Sequence, residues 1–176
     1  MCVVDWGLVT GIATAVIAFL ALLLSAYSLF TQRAHDRISV APMGQINAGD
    51  YEGHIYVRVF NNGLGPLVVK SMKLLQNGGD AKAASLVQLM PPTPPDLAWE
   101  TFTELPGQTV ISAGTSRTLL SLRYDLNAPD QKAYANQIRK VLGCITIKVE
   151  YSDLYGENTK TVERLLNWFL RRFPSE

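Results

Sequence analysis

Residues 6–30 read WGLVTGIATAVIAFLALLLSAYSLF, 25 positions without a charge. At about 1.5 Å rise per residue, a helix of that length reaches roughly 37 Å, enough to cross a hydrocarbon core of ~30 Å with some tilt. Backbone groups in lipid must be satisfied within the segment, so a lone span of this composition has to be helical. The rest of the chain is written differently, as short alternating runs broken by Gly, Pro and Asn. The reading is therefore mainly β: a transmembrane anchor with a polar collar over 1–37, then one β-domain over 38–176.

The span reads as permanent. A cleavable signal needs a basic leader and a shorter apolar run, and residues 1–5 contain no Lys or Arg. Arg33 and Arg37 follow the span closely, so the positive-inside rule places the N-terminus outside and the β-domain in the cytoplasm, across a plasma (inner) membrane. Gly7, Gly11 and Ala15 recur every four residues. Such a stripe lets two helices approach closely and supports a homo-oligomer through the span, although Gly and Ala are common in membrane helices anyway.

Beyond the collar, residues 38–47 suggest a first strand, with Pro42 confining it to an edge or bulge. Residues 54–61 alternate cleanly: Ile55, Val57 and Val59 face one way, and Tyr56, Arg58 and Phe60 the other. The next six residues, Asn61-Asn62-Gly63-Leu64-Gly65-Pro66, hold turn formers that block further pairing. They join two strands and match neither GxGxxG nor GxxxxGK[ST], which argues against a phosphate cradle. Residues 67–75 resume as a strand with Lys70 and Lys73 outward. The proline-rich run over 91–95 reads as a stiff connection, with a polyproline docking segment as the other option.

Asp96, Glu100 and Glu104 would line one face of a helix, yet LAWETFTEL also alternates as a strand, which dissolves that stripe. Residues 114–124 form a strand with Arg117 and Arg123 outward. Residues 128–142 form the one clear soluble helix, with Pro129 in its first turn and Gly143 ending it. Ile145, Ile147, Val149 and Tyr151 point to the core from the strongest strand, followed by a hairpin loop in which Asp153 can bond the backbone and Gly156 supplies positive φ. Val162, Leu165, Leu166, Phe169 and Phe173 share a face at helical spacing, so 162–173 reads as an amphipathic helix. It either packs on the β-domain or lays Trp168, Arg171 and Arg172, together with Arg33 and Arg37, on the anionic leaflet.

Two motifs, Asn61 to Pro66 and Tyr151-x-Asp153-x-x-Gly156, resemble those of bacterial single-pass membrane proteins with an immunoglobulin-like domain behind an N-terminal helix. The resemblance implies an immunoglobulin-like antiparallel β-sandwich, here with one inserted helix and a C-terminal amphipathic helix; both motifs are turn chemistry and imply fold rather than activity. A weaker resemblance is to small membrane effectors of bacterial antiviral systems, which sense a nucleotide through a cytoplasmic β-domain and oligomerise through the membrane.

A net charge of +1 gives no polyanion-binding field, so nucleic acid is not an expected partner. Two cysteines do not make a disulfide framework; Cys144 is expected to be a small buried apolar residue. His35 and His54, the only histidines, read as surface residues, and no GxSxG, HExxH or CxxC is present. The expectation is no enzyme, no cofactor and no metal site. A membrane-anchored binding or scaffolding module leads, engaging a protein partner by loops or by an edge strand. Exposure suggests Asn61, Asn62, Lys70, Lys73, Arg117 and Arg123 as contacts. The ligand-gated membrane effector is the alternative.

Overall fold

A computed structural model describes residues 6–105, 107–156 and 159–173, leaving out the side chains of 6, 8, 9, 34 and 36–38. The chain divides into two compact units, residues 1–40 and 41–176.

The first unit is a single helix, α1 (Trp6–Ser39). Its stretch Thr10–Arg33 is long and apolar enough to cross a membrane, and none of it is buried. Several of its hydroxyls bond back into the helix: Thr14 donates to the Thr10 carbonyl (2.8 Å), and Ser25 to that of Ala21 (2.8 Å). In hydrocarbon an unbonded hydroxyl is costly, so this back-bonding suits a lipid-facing helix. Around Gly11 a Cβ would meet nothing within 4 Å. The flank 1–5 and the Arg37 side chain, on which the orientation reading leans, lie outside the described residues; Arg33 is exposed.

The helix runs farther than the sequence suggests. The strand expected over 38–47 starts only at Gly44, because residues 38 and 39 complete α1. Pro42 explains the stop: it disfavours helical geometry at the residue before it and cannot donate its own N–H.

The second unit is built on two antiparallel sheets. Strands β1 (Gly44–Tyr51), β2 (His54–Asn61), β5 (Trp99–Phe102) and β7 (Ser116–Arg123) form the first, in the order β1-β2-β7-β5. Strands β3 (Leu67–Gln76), β4 (Gly79–Asp80), β8 (Ile145–Ser152) and β9 (Lys160–Leu165) form the second, in the order β4-β3-β8-β9, with β6 (Val110–Ile111) also on β3. Period-2 burial is clean in β2 and β8, where Ile55, Val57, Val59, Ile145, Ile147 and Val149 are fully buried. Both sheets contribute to one apolar cluster. Helix α2 (Pro129–Gly143) adds Tyr134, Ala135, Ile138 and Leu142 to it.

Two expectations need correction here. Residues 162–173 are not one helix: 162–165 belong to β9, paired with β8, and only Asn167–Arg172 is helical, as a 3-10 turn with Phe169 buried. The ladder partner decides this, because Val149 opposite Val162 offers backbone bonds that an isolated helix would forgo. Cys144 is exposed rather than buried. The alternation that buries Ile145 and Ile147 turns even-numbered neighbours outward, Cys144 among them.

Candidate functional site

The end of the β-domain where the chain arrives at Ala41 is knotted by Asn61. Its Oδ1 accepts from the backbone N–H of Met43 (3.2 Å) and Gly63 (3.0 Å), while its Nδ2 donates to the carbonyls of Gly65 (2.8 Å) and Ile111 (3.1 Å). Its own backbone bonds to Gly114 and Thr115. Asn61 is fully buried, so it is a fold residue and not a surface contact. Gly63 follows from the same crowding: a Cβ there would lie 2.3 Å from the Ala41 carbonyl and 2.7 Å from the Pro42 Cα. Asn62 is exposed and bonds the Gln45 side chain.

The four basic residues chosen by exposure are all exposed but do not form one site. Lys70 and Lys73 are on β3 of the second sheet, whereas Arg117 and Arg123 are on β7 of the first. Arg117 sits opposite Val59 near the Asn61 end; Arg123 sits opposite His54 at the other end of the strand.

The outer face of the first sheet is the most distinctive surface. Tyr51 from β1 and His54 and Tyr56 from β2 group there, with ring centroids 5.2 to 6.5 Å apart. Gly49, opposite Tyr56, has no side chain because the Tyr56 ring occupies its Cβ position. The Arg58 guanidinium lies 4.8 Å from the Tyr56 ring centroid, a cation–π geometry, and its buried Nε has no hydrogen-bond partner among the described residues.

Beside this group, Glu100 collects donors. Ser121 gives its hydroxyl proton to Oε2 (2.6 Å), Arg123 donates to Oε1 (2.9 Å), and His54 Nε2 lies 2.8 Å from the Ser121 oxygen. The Ser121 hydrogen bond, then that of Arg123, holds the Glu100 carboxyl below its ordinary range. Serine, histidine and carboxylate thus meet, with the serine proton directed to the carboxylate and His54 Nε2 3.4 Å from the same carboxylate oxygen, rather than the serine–histidine–carboxylate relay of a hydrolase triad. Because β5 is a strand, Asp96 and Glu104 do not share a helix face with Glu100. Among the described residues no group of three or more His, Cys, Asp or Glu could hold a metal ion.

At the opposite end from Asn61, a buried ion pair closes the domain. Asp50 on β1 and Arg139 on α2 are each 1 % exposed and joined by two hydrogen bonds, Nε to Oδ2 (3.0 Å) and Nη2 to Oδ1 (2.8 Å). Arg139 also donates to the Tyr124 hydroxyl and to Asn136 Oδ1 (2.7 Å). Burial works against its charge, but the bonds to Asp50 and Tyr124 prevail and raise its pKa. Arg172 Nε (3.4 Å) and Arg171 Nη2 (3.6 Å) approach the same carboxylate. Arg171 also packs flat on Trp168, 3.3 Å from the ring centroid.

Sequence reasoning placed Tyr124 inward, where it is buried, but passed over Asp50, Arg139 and the unpartnered Nε of Arg58. One signal existed: Arg139 sits four residues after Ala135 and three before Leu142, on the apolar face of its helix, where an arginine needs a buried partner. No protein-family model matches the chain, and no curated protein matches it in sequence.

Proposed function

We propose that the chain is a membrane-anchored, non-enzymatic binding module whose β-domain, immunoglobulin-like in kind and placed in the cytoplasm, engages a protein partner through the outer face of its first sheet. The observation that carries this reading is Arg58. Its guanidinium lies over the Tyr56 ring on the outer face, with the Nε unbonded among the described residues, and a carboxylate from a partner would complement its charge. The surrounding Tyr51 and Tyr56 are the residue types that dominate binding energy at interfaces, along with arginine itself. Arg58 on the Tyr56 face gives a planar fork already held in place, so less freedom is lost on binding a carboxylate.

The test is site-specific photocrosslinking in native membranes, with the photoreactive residue replacing the exposed Tyr51. A discrete adduct that disappears in Arg58→Glu, while the unfolding midpoint stays put, would support the reading. An adduct indifferent to Arg58→Glu, or none at all, would remove it. A compartment-sensitive reporter after Glu176 tests the cytoplasmic placement separately.

A further inference from the structure

We propose that the Asn61 end of the β-domain docks on the bilayer surface, through the apolar tips of two turns inside a basic rim. The inference rests on the reading of α1 as a membrane span. Leu64, at the tip of the turn between β2 and β3, is 75 % exposed, and Leu154 and Tyr155, at the tip of the turn between β8 and β9, are 65 % and 66 % exposed. Met43, just before β1, is 62 % exposed. Scattered singly, such side chains would need no explanation; gathered at one end, they form the kind of patch that marks an interaction surface.

The topology brings these tips to one end of the domain. Val68 at the start of β3 pairs with Ser152 at the end of β8, so the two turns project from the same edge of the second sheet. Gly44 faces the Tyr151 ring and Leu67, which sets the start of β1 there too. Both turns are stiff. Asn61 holds the first from inside, and the Asp153 carboxylate accepts from the N–H groups of Tyr155 (3.0 Å) and Gly156 (2.9 Å) in the second.

Lys70, Lys160 and Arg117 surround the tips. The Lys70 ammonium comes within 3.7 Å of the Gly156 Cβ position, Lys160 sits opposite Tyr151, and Arg117 is one residue into β7. Of the described carboxylates toward this end, Asp153 is spent on its own turn and Glu150 accepts from the Ser71 hydroxyl (2.9 Å), while Glu104 is exposed. Apolar tips within a basic rim are the complement of an anionic lipid surface.

Chain connectivity selects lipid as the occupant. Only seven residues separate Arg33, where the apolar stretch ends, from Ala41, and Asn62 bonds the Met43 carbonyl directly. If helical throughout, the path from Arg33 to Ala41 covers about 12 Å. A surface tethered so closely meets the bilayer at high effective concentration, so a few apolar side chains suffice where they would not hold an untethered domain. By contrast, Trp168, Arg171 and Arg172 gather around Asp50, six residues along β1 from Gly44, or about 20 Å away. The leaflet contact expected of that tail therefore passes to the turns.

The experiment uses the full chain in nanodiscs of phosphatidylcholine and phosphatidylglycerol, with Cys2→Ser and Cys144→Ser. Single cysteines at Leu64, Leu154, Asn167 and Leu22 carry an environment-sensitive fluorophore, read with and without lipids bearing a spin-label quencher, shallow for the three domain positions and deep in the acyl chain for Leu22. Docking gives blue-shifted emission at Leu64 and Leu154, quenched about threefold more than at Asn167. Quenching at Leu22 with none at either tip overturns the docking and leaves the span standing. A blue shift at the tips that lipid quenchers do not touch means that protein, such as a second copy, covers them, and overturns it as well. No lipid access at Leu22 removes the span and the docking together. If the Leu64 variant fails to fold, Leu154 alone decides.

Discussion

Replacing Asp50 with Asn isolates the charge that the distal end depends on. In the native domain one carboxylate serves three guanidinium groups: Arg139 in a two-bond pairing, and Arg171 and Arg172 at 3.6 and 3.4 Å. Breaking a buried pair from one side costs roughly 3–5 kcal/mol, because the surviving charge stays out of water uncompensated. Asp50→Asn should fall in that range, since an amide keeps an acceptor but abolishes the countercharge. Arg139→Met should cost less, about 1–3 kcal/mol, because Asp50 retains two partly exposed arginines and the methionine fills the stem's volume. The double variant should be no worse than Asp50→Asn alone, a coupling of about 1–3 kcal/mol.

The assay is urea unfolding of the full chain in detergent micelles, followed by tryptophan fluorescence, since Trp99 and Trp168 both lie in the β-domain. The urea dependence should keep its slope, which marks a change in stability and not in the extent of unfolding. Salt gives an independent check. Three arginines left without their carboxylate repel, and at about 1 M salt the Debye length of about 3 Å screens the exposed two, so part of the loss in Asp50→Asn should be recovered. A cost below about 1 kcal/mol, or strict additivity in the double variant, would refute the reasoning.

Asn61→Ala removes an amide that makes four hydrogen bonds, two of them buried, and should cost about 2–4 kcal/mol in the same assay, whereas Asn62→Ala should stay within about 0.5. Gly63→Ala forces a Cβ against rigid backbone and should cost at least about 2 kcal/mol; Gly78→Ala, with open space but φ of +82°, should cost only about 1. The Glu100 carboxyl, lowered by Ser121 and Arg123, contributes stability that is present above its unfolded value and lost as pH falls through the folded one. Glu100→Gln should therefore flatten the acid side of the stability profile below about pH 4.5, read as melting midpoint against pH, and leave neutral pH less affected than a buried pair would.

Local patterns were legible where a strand carries its own period. In β2 and β8 the alternation names the buried apolar residues, though not the buried Asn61 and Ser152 at the strand ends, and Asp153 and Gly156 announce their turn. Lengths and ends were less so. A strand as short as β9 holds too few residues to separate a period of 2 from one of 3.6, so Val162 and Leu165 fitted a helix until β8 supplied a ladder. Asn61 looked like loop polarity because its four partners come from three segments, one of them 50 residues away. Asp50 and Arg139 lie 89 residues apart, and nothing local in either marks the other.

The arginines of the tail also determine how this domain can meet a partner. Arg164 donates to the Ile46 carbonyl and Arg171 to that of Asp50 (3.2 Å). These carbonyls are four residues apart on β1, the edge strand, and so point the same way, out of the sheet. An extended peptide adding to β1 would need both. Edge pairing at β1 is thus blocked by the domain's own side chains, a protection that edge strands commonly require. The remaining sheet edges are β5 in the first sheet and β4 and β9 in the second. The charges set the two ends of the domain apart: at the Asp50 end they are turned inward and satisfied, while at the Asn61 end the backbone is satisfied and the apolar side chains are turned out.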